Sequence, residues 1–443
     1  MKVITGVAKK ETYEISEILA RDLNGCEVRV NGAVHAIRDM SDVAFIVLRK
    51  REGLLQCVYE KGVAGFDLKD IREGDTVEFT GCVNREERAP QGFEIRIRTV
   101  RILSEPSEPM PLQISKWKMN TSLDAKLNNR AVSLRNVRER AKFRIQEGIT
   151  RGFRDFLYGQ GFTEIHTPKI SAKSAEGGAN MFKLEYFHRP AILQQSPQFY
   201  KQMMVGVFDR VFETAPVFRA EKHNTKRHLN EYTSLDFEMG YIDSFEEIMA
   251  METGFLQYTM DLLNREYAAD LDILGIKTPR VDSIPQVRFS EAKQMAAEKY
   301  DRKFRNPFDL EPEEEYLIGQ FFKEEYDADF VFVTHYPSKK RPFYAMDDPE
   351  DPVYTLSFDL LFRGLEITTG GQRIHDYHEL TAKAAARGIE TEGMEHYLAA
   401  FKHGMPPHGG LGIGLERLTM HLVGEENVRE ATLFPRDLSR LEP

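Results

Sequence analysis

FRAEKHNTKRHLNEYTSLDFEMGY, residues 218–241, holds four Lys or Arg, two His and four carboxylates between short apolar flanks. The preceding Val211–Phe218 (VFETAPVF) is apolar and aromatic, and Tyr232, Leu235, Phe237 and Met239 recur through the second half. That pattern predicts two antiparallel strands joined by a polar loop. Arg219 and Glu221, two residues apart, are expected on one face of the first strand, with Arg227 and His228 in the loop. A guanidinium holds two phosphate oxygens at once where an ammonium cannot, so the segment reads as an anion-handling hairpin. A charged, solvated hairpin is the plain alternative.

Further along, Gly409–Gly424 (GGLGIGLERLTMHLVG) sets closely spaced glycines ahead of an amphipathic helix. Leu415, Leu418 and Leu422 fall on one helical face, and Arg417 points about 200° away from Leu415 at about 100° per residue. It is therefore placed to meet a ligand. The glycines are expected to let the backbone approach a flat or charged group such as a nucleotide. The dinucleotide fingerprint is not satisfied, because Leu415 or Arg417 stands where its third glycine belongs and no acidic residue follows in context. A hydride-transfer cofactor is excluded on that ground.

Together with Gly161–Ile170 (GFTEIHTPKI), these elements resemble the three signature motifs of class II aminoacyl-tRNA synthetases. Gln195–Gln202 (QSPQFYKQ), Phe358–His375 (FDLLFRGLEITTGGQRIH) and Leu433–Asp437 (LFPRD) resemble the aspartyl-tRNA synthetases of the compact archaeal and eukaryotic type. The resemblance runs from about Val28 to the C-terminus. It implies an α+β chain: an antiparallel class II catalytic sheet with flanking helices, preceded by an OB-fold β-barrel.

Composition agrees. With 443 residues, 41% hydrophobic and 11% aromatic, the chain has material for two or three domains with sizeable cores. It contains no run of about 18 apolar residues and no secretory signal, so no membrane association and a cytoplasmic location are expected. Cys26, Cys57 and Cys82 are odd in number and lack CxxC spacing, which predicts buried, reduced thiols without zinc. His223 and His228 are too few for a metal site. The net charge of −10 runs against RNA binding, yet residues 1–103 balance 17 Lys plus Arg against 17 Asp plus Glu. Any RNA contact must then use a local patch such as Arg96, Arg98 and Arg101, for which a solvated strand edge is the alternative.

Five short alternating stretches between Cys26 and Leu103 predict a small barrel over residues 1–103, able to present aromatic rings and amides to splayed bases. Phe45 is a candidate for stacking and Gln56 for reading a base edge. Ser104–Pro111 (SEPSEPMP) opens a linker or hinge over 104–130, and residues 131–443 form the second domain. A helix is predicted from Leu134 to Gln160, ended by Gly161. The strand after it carries Pro168, which the resemblance places at a two-fold homodimer interface; an edge-strand proline is the alternative. Residues 244 to about 352 give little.

The resemblance further implies the chemistry. ATP is attacked at its α-phosphorus by the carboxylate of L-aspartate, and developing charge is met by preorganised cations rather than a side-chain nucleophile. It puts Arg219 at the α-phosphate, Arg417 at the γ-phosphate, and Ala220, Glu221, Arg227, His228, Leu229, Gly414, Leu415 and Glu416 around the nucleotide. Asp359, Glu366 and Thr369 are implied as oxygen ligands of Mg²⁺, with ion pairing of the two carboxylates to Arg363 as the alternative. Lys201 and Arg373 are implied to grip the substrate's side-chain carboxylate, with Glu176 and Gln198 near its ammonium group and Phe199, Tyr200, Arg219 and Thr369 nearby. An asparagine amide in that place is expected to leave the two cations without a counter-charge.

Enzymes of this family that charge only the aspartate tRNA carry a tryptophan and a lysine in the anticodon domain; here His35 and Pro90 stand at those places. With Phe45 and Gln56, they are the expected anticodon contacts. The pair resembles the non-discriminating type, which also aspartylates the asparagine tRNA and implies an amidotransferase that converts the product. A form restricted to the aspartate tRNA, a catalytically silent RNA-binding paralogue and an amide-forming amino-acid ligase are the competing readings.

Overall fold

The computed structural model describes the chain apart from residues 1, 2, 4, 5, 176–179, 223, 224, 304, 305 and 443. Glu176 and His223 therefore lie outside the described residues. The chain divides into two compact units, residues 1–139 and 140–443.

In the first unit β1 (Glu27–Asp39), β2 (Val43–Arg49), β3 (Leu54–Glu60), β4 (Thr76–Arg85) and β5 (Phe93–Ser104) close a barrel in the order β1-β2-β3-β5-β4. Strict alternation makes it: Ala44, Ile46 and Leu48 are fully buried while Val43, Phe45, Val47 and Arg49 between them stay partly exposed. One expectation fails. Cys57 is buried, but Cys26, one residue ahead of β1, is exposed, and Cys82 is half-buried on the outer face of β4. Each arginine of the basic patch has a carboxylate beside it while its side chain stays more than half exposed: Arg96 lies 3.8 Å from both Glu60 and Glu94, Arg98 3.1 Å from Glu27 and Arg101 3.1 Å from Glu78.

The second unit is built on an eight-stranded sheet. Its strands are β6 (Thr163–Glu164), β10 (Arg210–Phe218), β11 (Glu231–Gly240), β12 (Gln286–Arg288), β13 (Phe330–Thr334), β14 (Ser357–Phe362), β15 (Leu365–Arg373) and β16 (His408–Gly414). They lie in the order β12-β13-β14-β15-β16-β11-β10-β6, antiparallel except at the two edge pairs. A separate small sheet joins β7 (Ile170–Ser171), β8 (Lys183–Tyr186) and β9 (Arg189–Leu193). Helix Val137–Gly159 begins three residues later than expected and buries Ala141, Ile145, Ile149, Phe153 and Leu157 at four-residue spacing. Phe153 meets Phe212 of the sheet and Phe255 of helix Glu246–Glu266 edge-on at 5.7 and 5.2 Å; truncating such a ring to alanine costs about 3–5 kcal/mol. Pro168 falls outside any strand, exposed in the link between β6 and β7. Among the described residues no helix is long and apolar enough to cross a membrane.

Candidate active site

Strand alternation decides which side of the sheet carries chemistry. Leu235, Phe237 and Met239 of β11 pack into the helical side, so Ser234, Asp236 and Glu238 face the other way. On that side lies a cavity of about 640 Å³, lined by residues from motifs far apart in sequence, among them Gln198, Lys201, Arg219, Glu221, Glu366, Arg373 and Arg417.

Arg219 sits one residue past the end of β10. Its N–H donates to Asn230 O at 2.9 Å, and the Asn230 amide returns hydrogen bonds to Arg219 O and Glu221 O at 2.7 and 3.0 Å, which closes the base of the loop. The guanidinium lies over Tyr232, 5.7 Å from the ring centre, and 3.8 Å from Glu221. The Asn230 N–H donates to Arg436 O at 2.8 Å, so the C-terminal LFPRD segment braces the same loop. His228 and Leu229 also line the cavity, and His228 Nε2 stands 3.6 Å from Glu221. Arg227 lines it while paired with Glu315, a carboxylate the sequence did not flag. Burial first, then the neighbouring Glu366, push the Glu315 carboxyl up to about 7.

Arg417 is the third residue of helix Leu415–Leu422 and points into the cavity, as its angular offset requires. It donates to Glu366 O at 3.1 Å and to Arg227 O at 3.4 Å, and lies 3.7 Å from the Glu366 carboxylate. Burial raises the Glu366 carboxyl, but Arg417, the Thr369 hydroxyl, Arg341 and Arg219 outweigh it and hold it below the usual range. Gly414 and Glu416 also line the cavity. Burial pushes Glu416 up to about 7, although both its oxygens accept from Thr233 N at 3.0 and 3.1 Å. Leu415 belongs to the core instead.

A β-bulge assembles the carboxylate group. Between Glu366 and Thr368 the β14–β15 register slips by one residue, so Glu366 and Thr369, three apart and normally on opposite faces, share one face. Thr369 Oγ1 donates to Glu366 Oε1 at 3.0 Å, and Thr369 is paired with Asp359 across the sheet. Thr368 faces the other way and donates to the buried Glu252 at 2.5 Å. Arg363 pairs with Asp329 at 3.0 Å, which removes it as the partner of Asp359 and Glu366. Arg341 holds Asp359 instead, at 2.8 Å.

Lys201 and Gln198 share one face of helix Gln198–Phe208 and line the cavity. Phe199, on the next face, stacks obliquely on Tyr397 at 4.4 Å; Tyr200 and Ala220 also lie outside the cavity lining. The picture of two bare cations needs correcting. Lys201 Nζ contacts Asp236 at 2.9 Å, Leu411 O at 2.8 Å and Glu238 at 3.3 Å, and Arg373 Nε donates to Glu238 at 2.9 Å. The four groups sum to zero charge, because β11 brings two carboxylates beside the pair. Gly410 serves this pairing rather than a nucleotide, since a Cβ there would overlap the Glu238 carboxylate. Two polar atoms here are buried without a hydrogen bond among the described residues, Gln198 Nε2 and Asp236 Oδ2.

In the first unit, His35 occupies a bulge of β1 between Val34 and Ala36 and is buried, its Nδ1 3.5 Å from Arg49 Nη1. Phe45 and Gln56 lie half-buried on the outer face of the adjoining β2 and β3. Gln56 Nε2 donates to Glu94, another residue that went unflagged, at 3.1 Å. Pro90 is exposed in the β4–β5 connection.

Comparison with known proteins gives concordant matches. Residues 122–438 match the family model of class II tRNA synthetases (D, K and N), and residues 28–103 match the OB-fold nucleic acid binding domain. The chain is 46% identical to the aspartate–tRNA(Asp/Asn) ligase of Deinococcus radiodurans, over 98% of this chain and all of that one. It is 39% identical to the aspartate–tRNA(Asp) ligase of Pyrococcus furiosus, over 97% and 99%. Among solved structures, asparaginyl-tRNA synthetase from Pyrococcus horikoshii complexed with asparaginyl-adenylate superposes with a TM-score of 0.88 at 29% identity, covering 95% of this chain and 97% of that one.

Proposed function

The chain belongs to the class II tRNA synthetases (D, K and N), and from that membership we propose that it activates L-aspartate with ATP and transfers the aspartyl group to both the aspartate and the asparagine tRNA. One observation carries the reading: a single cavity unites the phosphate-type guanidinia Arg219 and Arg417 with the Lys201–Arg373 pair. Arg219 and Arg417 neutralise the triphosphate and the charge that develops at the α-phosphorus; preorganised cations of this kind are worth several kcal/mol. Asp236 Oδ2 is an acceptor still to be satisfied and suits the substrate ammonium.

Preference for aspartate over asparagine follows from donor geometry rather than from unpaired charge. Lysine and arginine only donate, so a carboxylate satisfies them where an amide NH₂ sets donor against donor. A site built for one polar group rejects such an analogue strongly.

Asp359, Glu366 and Thr369 form a set of hard oxygen donors on one sheet face, and the two carboxylates repel each other. That chemistry would suit Mg²⁺, a hard cation that takes oxygen ligands. When bound, the ion offsets charge on the polyphosphate.

The wider tRNA range rests on His35 and Pro90 and on the likeness to the Deinococcus enzyme. It carries with it an amidotransferase acting on the asparagine tRNA product. A homodimer formed through the segment around Pro168 completes the reading. The test crosses aspartate and asparagine with both tRNAs in aminoacylation assays. Aspartate is expected on both; product on the aspartate tRNA alone supports the restricted form, and no product on either refutes the proposal.

A further inference from the structure

Arg341 lies in the stretch that yielded little to sequence reading. It follows the turn Ser338–Lys340 and lines the same cavity as Arg219, Arg417 and Glu366. Its Nη2 stands 2.8 Å from Asp359 Oδ1, and its guanidinium lies over Tyr336, 3.9 Å from the ring centre. Asp359 is not among the described residues that line the cavity; the guanidinium covering it is. The contact is close but poorly directed, since Arg341 Nε, Arg341 Nη2 and Asp359 Oδ1 are all buried without forming a hydrogen bond. Donors thus remain for another acceptor. Arg387, which also lines the cavity, fastens the loop, donating to Arg341 O and, at 2.6 Å, to Ser338 O.

We propose that Arg341 is an internal counter-ion that changes partners: it covers Asp359 in the nucleotide-free enzyme, and when a polyphosphate arrives with a divalent cation the cation takes Asp359 while the guanidinium turns to phosphate oxygens. The inference rests on the cavity being the ATP site. Charge is conserved through the exchange, because each anion receives a cation and no buried charge is left alone. Asp359 is buried, with Arg341 as its paired cation and Thr369 opposite it across the sheet. A dication is the stronger partner for such a carboxylate.

Calorimetry on Arg341→Met tests the exchange with three probes: a methylene-bridged ATP analogue with Mn²⁺, AMP, and Mn²⁺ alone at pH 8.5. The analogue is expected to bind at least tenfold more weakly than to wild type and AMP within twofold, while Mn²⁺ alone binds at least threefold more tightly, having lost its competitor at Asp359. Arg341→Lys, which keeps the charge, is expected to recover part of the analogue affinity. Unchanged analogue affinity, Mn²⁺ bound no more tightly, or a parallel loss of AMP binding would each mark Arg341 as a structural clamp and overturn the exchange. Wild type that fails to bind the analogue refutes the ATP site itself.

Discussion

Replacing Glu238 with glutamine removes the anion that Lys201 and Arg373 share. The carboxylate is fully buried, 3.3 Å from Lys201 Nζ and 2.9 and 3.5 Å from Arg373 Nε and Nη2. Burial works against its charge, but Arg373 and Lys201 more than offset this and hold its carboxyl below the usual range. At an effective dielectric near 20, each contact at about 3 Å is worth roughly 5 kcal/mol before desolvation. Breaking a buried pair costs about 3–5 kcal/mol net, because a charge is stranded. In Glu238→Gln, Asp236 still serves Lys201, and Arg373 keeps acceptors in the amide oxygen and in Gly410 O at 2.9 Å but loses the charge of the carboxylate. The substrate's side-chain carboxylate can supply the missing charge. Thermal and urea unfolding with and without amino acid read this out: the variant should be less stable by about 3–5 kcal/mol, and aspartate should raise its melting temperature more than that of wild type. Asparagine should not. A loss under about 1 kcal/mol, or equal rescue by the two amino acids, refutes the four-charge account.

Glu252 gives a pH signature. Burial pushes its carboxyl up to about 8, so its stabilisation is present below the unfolded value near 4.5 and is lost as pH rises through about 8. Unfolding of Glu252→Gln at pH 5 and pH 8 should show the variant gaining on wild type as pH rises; a constant difference contradicts the assignment. Asp359→Asn and Glu366→Gln should each cut aspartate-dependent pyrophosphate exchange by about 10² or more and raise the Mg²⁺ needed for half-maximal rate, read from Mg²⁺ titrations. Pro90→Lys, at an exposed position, should leave melting unchanged and lower charging of the asparagine tRNA relative to the aspartate tRNA, measured with both transcripts.

Much of the fold is legible in the sequence because it depends on local periodicity. The barrel strands appear in their alternation, and the helix after Asn136 in its four-residue stripe. Arg219, Arg417, Lys201 and Arg373 were recognisable from their motifs. Their counter-ions were not, because Asp236 and Glu238 meet Lys201 and Arg373 only through the register of β11, β15 and β16. The bulge that aligns Glu366 with Thr369 rests on one extra residue, which no pattern announces. Arg341 and Glu315 lie where helices and turns follow no clear period, so only tertiary packing brings them to the cavity. The exposed Cys26 is a related case: it lies in the turn just ahead of β1, where alternation no longer decides the face.

The most direct test of the central claim is exchange of labelled pyrophosphate into ATP by the purified protein without tRNA. The account predicts exchange that requires aspartate, is not supported by asparagine, and falls about 10²–10³-fold in Arg219→Ala and Arg417→Ala while both variants still unfold cooperatively. Exchange independent of aspartate, or variants as active as wild type, would contradict it.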